Sequence, residues 1–406
     1  MQTTLAPEFK GTRDGEAAEA ILRKCVHCGF CTATCPTYLL LGDELDGPRG
    51  RIYLIKQVLE GKTATAKTQL HLDRCLTCRN CESTCPSGVQ YGQLVEIGRQ
   101  VVERKVERPL LERLTRTALK EGLTSPLFGP AMKLGQLLRP LLPATLKNKV
   151  PAAAGARAHQ WPTREHPRKM LLLLGCVQPA RAPNINAATA RVLDAAGIQT
   201  LAAADAGCCG AIRIHLGDVD GGLADMRRNI DAWWPLVEGL TSAGRVEAIV
   251  MNASGCGVTV KDYGHALADD VDYAIKAARI SLLTKDLSEL LPDLVGCLKP
   301  KLRPTNVKRL AFHPPCTLQH GQQLRGGVET HLNALGFEVS VAASESHLCC
   351  GSAGSPSSTC SWRPSGSWRV VSLRRCVSCN CSQTRFPPSG IRFRSLSIFR
   401  MVARYF

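Results

Sequence analysis

The sequence predicts an α+β multidomain chain: an N-terminal α-helical domain rich in cysteine, then two related α/β lobes. Three observations predict it. Cysteines cluster in two runs before residue 90, joined by a stretch of helical periodicity; a strand–helix–strand pattern ending in Cys-Cys-Gly then occurs twice; and 406 residues exceed what one ordinary core organises. The implied divisions are a helical domain over 1–100, a basic helical linker over 101–168, a first lobe over 169–300, a second, shortened lobe over 301–354, and an aberrant tail over 355–406.

In the first domain Cys25, Cys28, Cys31 and Cys35-Pro36 follow the spacing C-x2-C-x2-C-x3-C-P, and Cys75, Cys78, Cys81 and Cys85-Pro86 repeat it. This is the bacterial ferredoxin run, in which three close cysteines wrap one cubane and the fourth reaches the other. The spacing therefore assigns Cys25, Cys28, Cys31 and Cys85 to one 4Fe–4S cluster, and Cys75, Cys78, Cys81 and Cys35 to a second. Proline after the last ligand removes a donor and turns the chain away. Zinc sites and disulfides are the alternatives, but zinc sites use two separated C-x2-C pairs, not three cysteines and a fourth before proline.

Between the runs, GPRGRIYLIKQVLEGK sets Ile52, Ile55, Val58 and Leu59 at helical spacing. A helical connector favours an α-helical ferredoxin domain over the small strand-rich kind. Asn80, Thr84, Arg79 and the backbone near Gly29 are candidate tuners of the clusters, weighed against plain surface loop. The acidic stretch Gly42–Asp46, with Asp43, Glu44 and Asp46, reads as a solvated loop, and Arg49 and Arg51 as facing a partner.

The lobes repeat in order. KMLLLLGC ends a strand-like run at Cys176, NAATARVLDAAG is helical to Gly197, IQTLAAAD is a second strand, and Cys208-Cys209-Gly210 follows. KRLAFHPPC ends at Cys316, VETHLNALG stops at Gly336, FEVSVAAS follows, then Cys349-Cys350-Gly351; the intervening gaps are 31 and 32 residues. Such cysteines are either buried small hydrophobes or a metal corner in which Gly210 and Gly351 allow close backbone approach. Repetition favours ligation: Cys176, Cys208, Cys209 and Cys256 form one candidate cluster site, and Cys316, Cys349 and Cys350 an incomplete second. His313 and His347 are candidate ligands or proton relays, weighed against structural donors; His320 and Trp233-Trp234 read as packing, and Cys376, Cys379 and Cys381 as having no ligand role.

The net charge of +17 would suit nucleic acid or anionic lipid. Residues 355–406 hold nine Arg and no Asp, Glu or Lys, so +9 of it lies in the tail and only +8 in the other 354 residues. A zinc-containing nucleic-acid-binding protein is disfavoured on that ground and because base-reading aromatics and a basic recognition helix are absent. A disulfide reductase acting at the Cys-Cys-Gly lobes is a further reading. No run reaches the roughly 18 apolar residues of a membrane span, and the N-terminus shows no signal-peptide pattern. The expected location is the cytoplasm, with the basic amphipathic helices between 100 and 150 either docked on lipid or packed in a core.

CVHCGFCTATCPTYLLLGDELDGPRGRIYLIKQVLEG (Cys25–Gly61), HLDRCLTCRNCESTCPSGVQYGQL (His71–Leu94), NINAATARVLD, NIDAWWP, SGCG, CTLQH and HLCCGSAG resemble the iron–sulfur subunits of glycolate oxidase (glycolate dehydrogenase), over roughly residues 18–354. The resemblance implies two 4Fe–4S clusters followed by CCG lobes that could hold a further cluster. It also implies an FAD-containing partner subunit that oxidises glycolate to glyoxylate, and electron relay to the quinone pool at the cytoplasmic face of the inner membrane. The chain itself would perform no bond chemistry. Related subunits of lactate or glycerol-3-phosphate dehydrogenases and of heterodisulfide reductase are the alternative relatives. After HLCCGSAG the family pattern of a helix and a glycine-flanked cysteine is missing, and the acid-free Ser/Arg sequence is what a shifted reading frame produces.

Overall fold

The computed structural model describes residues 1–143, 147, 150–153, 160–303 and 308–341, and the backbone at 360–362 and 368–370. The chain divides into two compact units: one holds Met1–Arg113 and His313–Gln323, the other Leu114–Phe312 and Leu324–Ser340.

Residues 1–113 are helical, as the connector predicts, without a strand among the described residues. The elements are α1 (Arg13–Lys24), α2 (Pro36–Leu41), α3 (Pro48–Leu59), α4 (Ala66–Asp73), α5 (Asn80–Thr84) and α6 (Tyr91–Lys105). Helix α1 starts where the Thr12 hydroxyl accepts the Gly15 N–H, carries Asp14 and Glu16 in its first turn, and ends on Arg23 and Lys24, which suits the helix dipole. Helix α3 begins on Pro48 and buries Ile52, Ile55, Val58 and Leu59. It packs on α6, where Gly98 makes room: a Cβ there would lie 2.5 Å from Ile55 Cγ1. Helix α6 continues through residue 100, and the unit ends only after Arg113.

Helices α7 (Leu110–Thr124) and α8 (Phe128–Leu137) bury no residue, and Leu111, Leu114, Leu127, Leu134, Leu137 and Leu141 are exposed. They are therefore not the core-packed pair that was one expectation for 100–150. Polar contacts tie the end of α7, Lys120 to Asp218 at 3.0 Å and Glu121 to Arg213 at 2.8 Å.

The second unit is built on four parallel strands, β1 (Arg168–Leu172), β2 (Ile198–Leu201), β3 (Ala248–Met251) and β4 (Thr284–Asp286), in the order β2-β1-β3-β4. The inner strand β3 is buried along its length, so it reads as a continuous apolar run. Trp233, on the helix Val219–Glu238, is fully buried and stacks on Tyr263, while Trp234 is half-buried beneath Lys276. The second copy of the pattern gives β5 (Arg309–Phe312), the helix Gly327–Ala334 and β6 (Glu338–Val341), with β5 and β6 paired. Within the span read as an aberrant tail, Cys360–Trp362 pairs antiparallel with Trp368–Val370. His347, Cys349, Cys350, Cys376, Cys379 and Cys381 lie outside the described residues.

Candidate iron–sulfur centres

The two cysteine runs are built alike, 50 residues apart. The Cys25 N–H donates to Leu22 O at the end of α1, and the Cys75 N–H to Leu72 O at the end of α4; Cys35 and Cys85 donate to Thr32 and Glu82 in the same way. Within each loop the residue before the second cysteine and the one after it are left-handed: His27 (φ +56°) and Gly29 (φ +86°), then Thr77 (φ +53°) and Arg79 (φ +58°). Repeated left-handed residues turn successive N–H groups inward to form an anion-binding concavity. The Thr77 N–H lies 3.5 Å from Cys75 Sγ.

Folding crosses the fourth cysteine over. Cys31 has Cys25, Cys85 and Cys28 as its charged neighbours, and burial first, then these sulfurs, push its thiol up to about 11. Cys78 and Cys81 instead have Cys75 and Cys35 as theirs; burial and those sulfurs push Cys78 up to about 12 and Cys81 well above the ordinary range. Cys85 thus neighbours Cys31 of the other run, and Cys35 neighbours Cys78 and Cys81. Asn80 Nδ2 donates to Thr34 O at 3.1 Å, and the Thr84 hydroxyl to Thr34 Oγ1 at 3.1 Å, clasping one run to the other. Asn80 is buried, so it is neither surface loop nor idle.

Two expectations about this region fail. Asp46 is 0% exposed, not part of a solvated loop, and Arg51 is 1% exposed, so it cannot face a partner. The Asp46 carboxylate takes Arg74 at 2.7 Å, His71 Nδ1 at 3.0 Å and Arg51 at 3.5 Å. Arg51 also donates to His71 O and Thr37 Oγ1, and the Thr37 hydroxyl is 3.2 Å from Cys35 Sγ. The compensation lies in tertiary partners: a buried carboxylate persists when cations and donors surround it. Arg49 remains half-exposed, bonded to Glu44.

In the second unit, Cys176 follows β1, Cys208-Cys209 follow β2, and Cys256 follows β3. Strand order reverses between β1 and β3, and the crevice beyond the carboxyl ends at such a switch point is where open α/β sheets bind ligands. All four expected cysteines meet there. The thiols of Cys176 and Cys209 hydrogen-bond Cys208 and hold it below the ordinary thiol range, and the same contacts raise Cys176 and Cys209. Gly210, at φ +93°, could carry no side chain, since a Cβ would lie 2.7 Å from Gly222 O. Two residues absent from the sequence-based site hold this loop. Asn229, fully buried, accepts the Gly207 N–H and donates to Cys208 O, while the Tyr263 hydroxyl donates to Cys209 O at 3.0 Å.

Cys316 is buried and precedes a π-helical turn, Thr317–Gly321, packed on α5 in the first unit. His320 on this turn is buried as expected, with its Nδ1 3.0 Å from the Ser83 hydroxyl.

Each set offers four cysteines, the ligand complement of a 4Fe–4S cluster. Among the described residues, Asp43, Asp46 and His71 alone bring three ligand atoms within 4.8 Å of one another, and there Arg74 and Arg51 already neutralise Asp46. Buried thiols held above their ordinary range, facing inward N–H groups, need a cationic centre to ionise them. Arg51 Nη2 and His27 Nε2, beside the two cages, are buried without a hydrogen-bond acceptor.

Residues 21–89 match the 4Fe-4S dicluster domain family, and residues 170–261 and 310–364 the cysteine-rich domain family. The chain is 55% identical over 357 residues to the glycolate oxidase iron–sulfur subunit of Escherichia coli K12, covering 87% of this chain and 85% of that one. The chain belongs to the glycolate oxidase iron–sulfur subunit family. A Bacillus subtilis member, described as a probable glycolate oxidase iron–sulfur subunit, is 31% identical over 86% of this chain and 81% of its own length. Lactate utilization protein A of Bacillus velezensis is 25% identical over 46% of this chain. Iron–sulfur clusters are thus the cofactors of this oxidoreductase component, within the fold class that the cysteine runs predict.

Proposed function

We propose that this subunit carries two 4Fe–4S clusters, one held by Cys25, Cys28, Cys31 and Cys85 and the other by Cys75, Cys78, Cys81 and Cys35. It relays electrons from an FAD-containing partner that oxidises glycolate to glyoxylate towards the quinone pool. The crossing of Cys35 and Cys85 between runs carries this reading, because it sets two cages side by side in one unit. When bound, the clusters supply one-electron carriers. The protein supplies the rest: Ile52, Val89 and Tyr91 wall the first cage; Arg99 grips Leu72 O and Cys75 O; and Cys28 is exposed at the surface. Iron and acid-labile sulfide analysis of anaerobically purified protein, with reduced-state EPR, is expected to give at least about eight irons and two interacting cubane signals. Zinc without iron would refute the reading. Iron beyond eight that disappears in Cys209→Ser would assign a further cluster to Cys176, Cys208, Cys209 and Cys256.

The open face of α7 and α8 supports docking at the cytoplasmic face of the inner membrane. Exposed Leu114, Leu127, Leu134, Leu137 and Leu141 stand with Lys133 and Arg139 on a segment in which, among the described residues, no helix is long and apolar enough to cross a bilayer. The full chain is expected to float with anionic vesicles, and replacing Leu134 and Leu137 with Gln to reduce flotation severalfold. Equal flotation of both proteins would remove this face as the anchor.

A further inference from the structure

The two cages differ in what surrounds their sulfurs. The first opens to solvent at Cys28, with Val26 and Phe30 exposed beside it. Its nearest guanidinium, Arg49, is half-exposed and bonded to Glu44 at 2.7 Å. Water and Glu44 both screen that charge.

The second cage is the more buried: Cys35, Cys75 and Cys81 are buried and Cys78 is half-buried. Arg51 is 1% exposed and donates to Thr37 Oγ1 at 3.1 Å, and that hydroxyl lies 3.2 Å from Cys35 Sγ. Arg99 donates to Cys75 O at 2.7 Å and Thr77 Oγ1 at 3.1 Å. The Tyr91 hydroxyl donates to Cys75 Sγ at 3.6 Å. The acids on this side do not cancel these cations: Asp46 is shared with Arg74 and His71, and Glu82 accepts the Gly92 N–H.

An added electron is stabilised by buried positive charge and by hydrogen bonds to ligand sulfur, and far less by a charge that water screens. We propose that Arg51, supported by Arg99 and Tyr91, gives the cluster at Cys35, Cys75, Cys78 and Cys81 the more positive reduction potential of the pair. The electron would then rest in the more buried cage, with the exposed Cys28 edge as the point of exchange. This rests on the two-cluster reading above. The step moves one electron from the reduced outer cluster to the oxidised inner one, the outer being reduced in turn by the partner's flavin. It makes and breaks no bond, and no proton is needed because a guanidinium stays charged throughout. Arg51 is a positioning residue in this scheme, acting on the cluster's energy and not on a substrate.

The test is a potentiometric EPR titration of the holoprotein, with Cys28→Ser marking the outer cluster by its altered signal. The marked signal is expected to titrate at the lower potential. Arg51→Gln is expected to cut the reduced-to-oxidised ratio of the unmarked cluster at least tenfold at a fixed solution potential, a shift of 59 mV for one electron. The marked cluster should move much less, and Arg51→Lys should restore most of the shift. Tyr91→Phe should shift the unmarked cluster in the same direction by a smaller amount, which keeps the test available if Arg51→Gln does not fold. Full iron content with unchanged potentials, or a marked signal at the higher potential, would overturn the proposal. Iron near zero in the parent protein would instead overturn the two-cluster reading.

Discussion

Replacing Asp46 with alanine is expected to destabilise the first unit by about 3–5 kcal/mol, the cost of leaving a buried charge without its partner. Three groups lose their anionic partner at once: Arg74 at 2.7 Å, His71 at 3.0 Å and Arg51, ion-paired at 3.5 Å. Two of them are buried, so water cannot replace the carboxylate cheaply. The Asp46 backbone carbonyl, which accepts from the Thr37 hydroxyl at 2.7 Å, would remain. Asp46→Asn keeps the shape and some hydrogen bonds and should cost less. Asp43→Ala is the control: Asp43 is exposed and accepts only the Leu45 N–H in the described contacts, so about 0.5–1 kcal/mol is expected. Urea unfolding followed by circular dichroism, with iron release measured in parallel, checks all three. Equal loss for Asp43→Ala and Asp46→Ala would show that the buried network contributes nothing particular.

Cys85→Ser is expected to abolish the cluster whose other ligands are Cys25, Cys28 and Cys31, although Cys85 belongs to the run of Cys75, Cys78 and Cys81. Cys35→Ser should do the reverse. The structural ground is the grouping of sulfurs, with Cys85 beside Cys31 and Cys35 beside Cys78 and Cys81. Each variant should lose up to about four irons while retaining the EPR signal of the opposite cage, read against Cys28→Ser as a marker of the first. If Cys85→Ser removed the signal that Cys28→Ser leaves intact, ligation would follow the runs and the crossing would be wrong.

The paired cysteine loops were legible because their rule is local: spacing fixes which sulfurs one turn of backbone can present, and the same turn recurs 50 residues on. The core of α3 was legible for a similar reason, since Ile52, Ile55 and Val58 share a face. Asp46 was misread because nothing near it in the chain says that it is covered; its partners come from positions 51, 71 and 74. A signal for Arg51 did exist. Arg51, Ile55 and Val58 stand at i, i+4 and i+7, so the arginine lies in phase with the buried face of its helix. Asn229 is similar, in phase with Met226, Ile230 and Trp233. A polar residue within an apolar stripe, where a partner must be found for it, is the pattern that marks both.

On the proposed ligation, the exchange of Cys35 and Cys85 between runs also sets an order of assembly. A growing chain that has emerged from the ribosome only as far as Cys35 can offer three sulfurs to one cluster and one to the other. Neither cage closes until Cys85 has followed and α5 has clasped Thr34 through Asn80 and Thr84. Each cluster so held would be a staple across the duplicated halves, and iron delivery would be a checkpoint on folding: a half-made domain could not retain a complete cluster, and a chain starved of iron would lack the ties that join its halves.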